Sequence, residues 1–173
     1  MATFFKRKAT VVALAALSLT LAGGGIAAAA QSEARPQPGV RHTTAQPPVT
    51  AAERQAARAA MRATLAPPAP GQVAWAVVSA NGTLLQHSGN VVSSLRFAPG
   101  PGVSAGQYQV LFDYDVSLKS YQVSIGTNDT ANVPPGGEVS AAPRTLTPNA
   151  VFVQTRNSAG GFADRPFHIL VAN

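Results

Sequence analysis

The sequence predicts an all-β fold: a single antiparallel β-sandwich or barrel of about eight strands, placed behind a signal peptide and a Pro/Ala-rich linker that carries one short helix. Three observations predict it. Only 12% of the 173 residues are charged, and 15 Gly with 14 Pro favour turns over a solvated helical bundle. From residue 71 onward apolar positions recur with a period of two, interrupted by turn signals. The stretch that carries this pattern is about 100 residues long, enough to bury a core without disulfides. The chain has no Cys, which removes a disulfide framework, thiolate zinc sites and a Cys nucleophile.

Taken from the front, residues 1–30 read as a secretory signal. Lys6, Arg7 and Lys8 form a cationic start, Val11 to Leu21 an apolar run, and Gly23 to Gly25 a helix break before Ala28, Ala29 and Ala30. Small residues at 28 and 30 suit a signal peptidase and place cleavage near Ala30, so the expected location is extracellular. An uncleaved anchor is the competing reading, since residues 11–30 carry no charge. The Gly triplet favours cleavage, leaving a mature chain with no membrane segment.

Residues 31–70 hold six Pro between 36 and 68 and no aromatic residue, which predicts a disordered spacer. One helix is expected within it, over about 51–65. Thr50-Ala51-Ala52-Glu53 is a capping box, an Ala-rich run follows, and Pro67-Pro68 stops it. Arg54, Arg58 and Arg62 recur every fourth residue on one face, which reads first as a solvated stripe and second as a contact for anionic polymers.

The β-domain spans 71–173. Val73 to Val78 is apolar on both faces, as in a central strand covered on both sides. Asn81-Gly82 marks a hairpin turn into Thr83 to Leu85. Val91 to Phe97 is a third strand, and Ala98 to Gly106 a Pro/Gly loop. Tyr108, Val110 and Phe112 then face the core, with Gln107, Gln109 and Asp113 on the wet side; Tyr121, Val123 and Ile125 repeat the pattern. Glu138 to Ala142, Val151 to Val153 and Phe167 to Val171 complete the set.

Within this domain Trp75-Ala76-Val77-Val78, Asn81-Gly82-Thr83, Gly106-x-Tyr108-x-Val110-x-Phe112 and Asp164-Arg165-Pro166-Phe167-His168 together resemble a module of small secreted, largely uncharacterised actinobacterial proteins. The resemblance covers about residues 72–173, and its motifs name no chemistry. Members carry Cys where this chain has Ser120 and Asn173. The resemblance therefore implies that these two positions lie within bridging distance, their Cα atoms about 7 Å apart or less.

The net charge of +6 lies in the signal and linker, because the five cations after residue 70 are matched by five carboxylates. A neutral domain argues against nucleic-acid binding. Asp164 and His168 are the most enzyme-like pair, a carboxylate that could orient an imidazole. The turn Asp164-Arg165-Pro166 offers the simpler role, with the carboxylate capping backbone N–H groups or pairing with Arg165. Asp113, Asp115, Asn128 and Asp129 do not supply the full ligand shell that calcium needs, and three His do not make a zinc site. No metal, cofactor or catalytic residue is assigned.

Trp75, Tyr108, Tyr114 and Tyr121 raise a carbohydrate-binding reading, with core packing as the default for all but Tyr114, which is expected to stand exposed at a strand end. The candidate binding residues are thus Tyr114, His168, Asp164 and Arg165. The expected function is non-catalytic binding or display outside the cell, toward an envelope glycan or polymer. A small hydrolase using His168 and Asp164 and a self-assembling subunit are the alternatives.

Overall fold

A computed structural model describes residues 45–63 and 67–173. The predicted signal peptide, its cleavage point and the first part of the linker lie outside the described residues. Eight strands form two four-stranded antiparallel sheets, so the architecture is a sandwich and not a barrel.

The strands are β1 (Val73–Val78), β2 (Leu84–His87), β3 (Val91–Arg96), β4 (Gln107–Phe112), β5 (Ser120–Ile125), β6 (Gly137–Pro143), β7 (Ala150–Asn157) and β8 (Phe167–Ala172). One sheet runs β2-β1-β8-β5 and the other β3-β4-β7-β6. The first hairpin turns where the sequence predicts. Gly82 takes φ +88°, the Asn81 side chain accepts from Thr83 N at 3.1 Å, and a Cβ at Gly82 would come within 2.5 Å of Arg96 N.

The core lies between the sheets. Tyr108, Val110 and Phe112 of β4 meet Phe167, Ile169 and Val171 of β8, with Ala74, Ala76 and Val78 of β1 closing the layer. Tyr108 packs edge-on against Phe167, with ring centroids 5.1 Å apart. The tight packing explains an unexpected parity in β1. Its alanines point inward opposite these large rings, and its larger odd-numbered residues point out. β1 is indeed central in its sheet, but its outer side is covered only in part: Val77 is buried, whereas Val73 and Trp75 are exposed.

Helix α1 (Ala51–Arg62) forms where the capping box predicts: Glu53 N donates to Thr50 Oγ1 at 3.1 Å and Thr50 N to Glu53 Oε2 at 2.6 Å. It ends at Arg62, with Ala63 as its C-cap. This part of the linker is not a free spacer. Ala57 and Ala60 bury against Leu111 and Ala150 on the outer face of the second sheet. Asn149 Nδ2 donates to Ala57 O at 3.0 Å and to Phe112 O at 2.7 Å. The residues of β4 expected on the wet side, Gln107 and Gln109, and Asp113 just beyond it are also buried: Gln109 accepts from Arg144, Gln107 from Ser104 N in the preceding loop, and Asp113 from Asn90. The alternation was correct; the covering layer was missing.

The register sets Ser120 opposite Ala172. Asn173 follows as the next residue, so the two positions singled out by the resemblance are near neighbours across β5 and β8.

Candidate functional site

The four residues singled out in the sequence do not come together as one site. Tyr114 is 5% exposed and packs into the core, its ring edge-on to Phe112 at 5.9 Å. This corrects the expectation of an exposed aromatic. The chain passes Phe112 and folds back under the sandwich, so Tyr114 joins Val116 and the core cluster and does not project from the strand end. Its hydroxyl lies buried beside the Asn173 side chain, and burial pushes its pKa up.

Asp164 is a structural acceptor. Its Oδ1 takes a hydrogen bond from Gly106 N at 2.7 Å and a longer one from the Tyr108 hydroxyl at 3.4 Å. Its Oδ2 pairs with Arg96 Nη1 at 2.9 Å, so the ion pair is not with Arg165. Gly106 needs this support, because its φ is +72° and a Cβ there would lie 2.3 Å from Thr155 O. With both oxygens engaged, Asp164 is not the orienting partner of His168. Arg165 is half-buried, its Nε without a partner.

The other three aspartates of the domain also accept structural hydrogen bonds. Asp115 accepts from Ser117 N and Oγ, Asp129 from Ala131 N and Asn132 Nδ2, and Asp113 from Asn90 Nδ2. These local bonds pull the pKa of Asp129 down. Among the described residues no three metal-ligating side chains cluster.

The surface that does gather potential binding groups is the open outer face of sheet β2-β1-β8-β5. Trp75, expected in the core, is 40% exposed there, and Leu170 opposite it is 37% exposed. Strand pairing orders this face in three rungs. Trp75, Leu170 and Gln122 form the middle one. Gln86, Val77, His168 and Ser124 lie on one side of it, and Val73, Ala172 and Ser120 on the other. No residue on these rungs is an Asp, Glu, Lys or Arg.

Local geometry fixes the ends of the face. Trp75 N donates to Ser88 Oγ at 3.1 Å, and Ser88 N donates back to Trp75 O at 2.9 Å, tying the Trp backbone to the chain that leaves β2. The His168 ring packs close to Gly126, where a Cβ would come within 2.8 Å of it. A flat, uncharged face with one indole plane, flanked by the amides of Gln86 and Gln122 and the imidazole of His168, can stack on an apolar ring face while bonding hydroxyl groups at its rim. Of the residues predicted for binding, only His168 belongs to it.

The chain matches no protein-family model, no curated protein and no solved structure.

Proposed function

We propose that the sandwich is a secreted, non-catalytic binding domain that takes an extended neutral polysaccharide across the outer face of its β1-containing sheet. The observation that carries this reading is Trp75, a large aromatic left 40% exposed in the middle of a face without charged side chains. A sugar ring offers C–H groups to the indole and hydroxyls to Gln86, Gln122 and His168, and a neutral polymer leaves no charge unpaired on binding. The openness of the face suits a chain that runs past both ends and does not suit a small molecule, which binds in concave sites. The hydrolase reading would need Asp164 as the partner of His168, and Asp164 is engaged by Gly106 and Arg96.

The chain has one Trp, so its fluorescence reports this face directly. The test is titration of the purified protein with soluble neutral polysaccharides (a β-glucan, an arabinogalactan, a glucomannan) and with alginate as an anionic control. At least one neutral polymer should shift the emission and retard the protein in affinity electrophoresis. Trp75→Ala should abolish the retardation, and Leu118→Ala, on an exposed loop, should not. If no neutral polymer acts, or if Trp75→Ala instead dissolves a dimer seen by sedimentation, the glycan reading fails. In the second case self-association takes its place.

A further inference from the structure

We infer that α1 carries a second binding site, a preorganised arginine row for a linear phosphodiester polymer, on a different element from the Trp75 face and independent of it. Arg54, Arg58 and Arg62 stand on successive turns, about 6 Å apart along the axis. That spacing is close to the separation of successive phosphates in an extended phosphodiester chain. Between them runs a shallow trough of about 530 Å³, lined by Ala51, Gln55 and Ala59 as well as the three arginines. The small alanines leave room for a backbone to lie between the guanidinium groups.

Two features separate this row from an ordinary solvated stripe. The first is rigidity. The helix is docked through Ala57 and Ala60 and pinned by Asn149, so the backbone that spaces the cations is already fixed when a ligand arrives, and only the side chains of Arg58 and Arg62 remain to be ordered. Arg54 is further held by donating to Val49 O at 2.9 Å. The second is the lack of compensating charge. The helix has a single acid, Glu53, and it is turned away to the N-cap and to Arg144. The rest of the folded domain is balanced in charge, so the excess cations of the described residues are concentrated on this one helix. Arg58 and Arg62 are exposed and each has another arginine at i±4, an arrangement that weakens a helix by itself. A row of guanidinium forks at fixed backbone spacing suits phosphates, which they can bind with two hydrogen bonds each.

The test uses the full purified chain and poly(glycerol phosphate) as probe, with inorganic phosphate and phosphatidylglycerol vesicles as separate arms. The wild-type protein should bind the polymer, and Arg58→Gln/Arg62→Gln should lose at least tenfold in affinity with an unchanged circular dichroism spectrum. Its salt dependence should be shallower by about 1.4 in log–log slope, roughly 0.7 per lost cation. Arg58→Lys/Arg62→Lys should keep most of the affinity, and Lys119→Gln, on the β4–β5 loop, should change little. Undiminished binding by the glutamine variant, an equal loss from Lys119→Gln, or binding to vesicles and not to the polymer would each overturn the assignment. Because Trp75 is untouched, neither result depends on the glycan reading.

Discussion

Arg144 Nη1 donates to the carbonyl of Pro47 at 2.6 Å, joining two residues 97 positions apart in sequence. The same side chain donates through Nε to Gln109 at 3.0 Å, reaches Glu53 at 3.5 Å and lies over the Phe97 ring at 5.0 Å. It is buried, and desolvation pulls its pKa down while Glu53 pulls it back up. One guanidinium thus holds the segment before α1, the strap, against the second sheet and adds to the cover that Ala57 and Ala60 give this face.

Removing that group should loosen the strap and leave the Gln109 and Pro47 oxygens buried without donors. Arg144→Ala is expected to cost about 2–4 kcal/mol in urea unfolding, from unsatisfied buried acceptors and an unpaired Glu53. Arg144→Lys should recover little, since an ammonium cannot reach Gln109, Pro47 and Glu53 from one plane. Limited proteolysis should then cut near residues 45–63 before the sandwich. A variant as stable as the parent would show that the strap is dispensable.

The exposure of Trp75 separates stability from binding. Trp75→Ala should change the unfolding free energy by less than about 1 kcal/mol, as expected for a surface side chain. Phe167→Ala, at the centre of the core, should cost about 3–5 kcal/mol. In the native protein the indole should be open to iodide, with a quenching constant between that of a buried indole and that of the unfolded chain. A blue, protected emission would bury Trp75 and remove the basis of the glycan reading.

The strand set was legible because alternation and turn chemistry are local. Tyr108, Val110 and Phe112 face the core as their period demands, and Gly82 turns where Asn-Gly predicts. What was not legible depended on pieces far apart in the chain. In Val73–Val78 both parities are apolar, and only pairing with Phe167, Ile169 and Val171 decides that the alanines go in and Trp75 out. Gln109 looks solvated until Arg144 and the segment it holds, residues 45–63, are laid over that face, and this segment has no aromatic residue to announce that it docks. Its signal was the small-residue face at Ala57 and Ala60, which also fits an isolated helix. Tyr114 was misplaced because Asp113 and Asp115 on either side suggest a solvated strand end, although the inward parity of Tyr108, Val110 and Phe112, carried one step further, already points it at the core.

All three tyrosines, Tyr108, Tyr114 and Tyr121, have pKa values raised mainly by burial, and Tyr108 is pushed up to about 12. Each phenol ionises at higher pH in the folded chain than in the unfolded one, so the folded state holds more protons in alkali. The stability from these groups is complete below pH 10, the ordinary phenol value, and is lost as pH rises toward about 12. Phenolate absorbance of the native protein at pH 10 should therefore be far below that of the denatured chain, and the alkaline transition should coincide with its appearance. A tyrosine titrating normally in the native state would contradict the burial of that side chain.

The roles of Asp164 and His168 can be separated in the same manner. If Asp164 supports Gly106 and Tyr108, Asp164→Ala should cost about 2–3 kcal/mol by stranding a buried N–H and weakening the Arg96 contact. His168→Ala, on the open face, should stay within about 0.5 kcal/mol of the parent. A catalytic pair predicts the opposite signature, two variants of near-native stability that lose the same activity. Asp164→Asn is the sharper probe, because its amide oxygen can still accept from Gly106 while the charge that binds Arg96 is gone. It should fall between the parent and Asp164→Ala, and its deficit relative to the parent should shrink in high salt as screening weakens the pair in the parent. Equal deficits for the Ala and Asn variants would instead assign the stabilisation to the charge on Asp164 and not to its hold on the Gly106 turn.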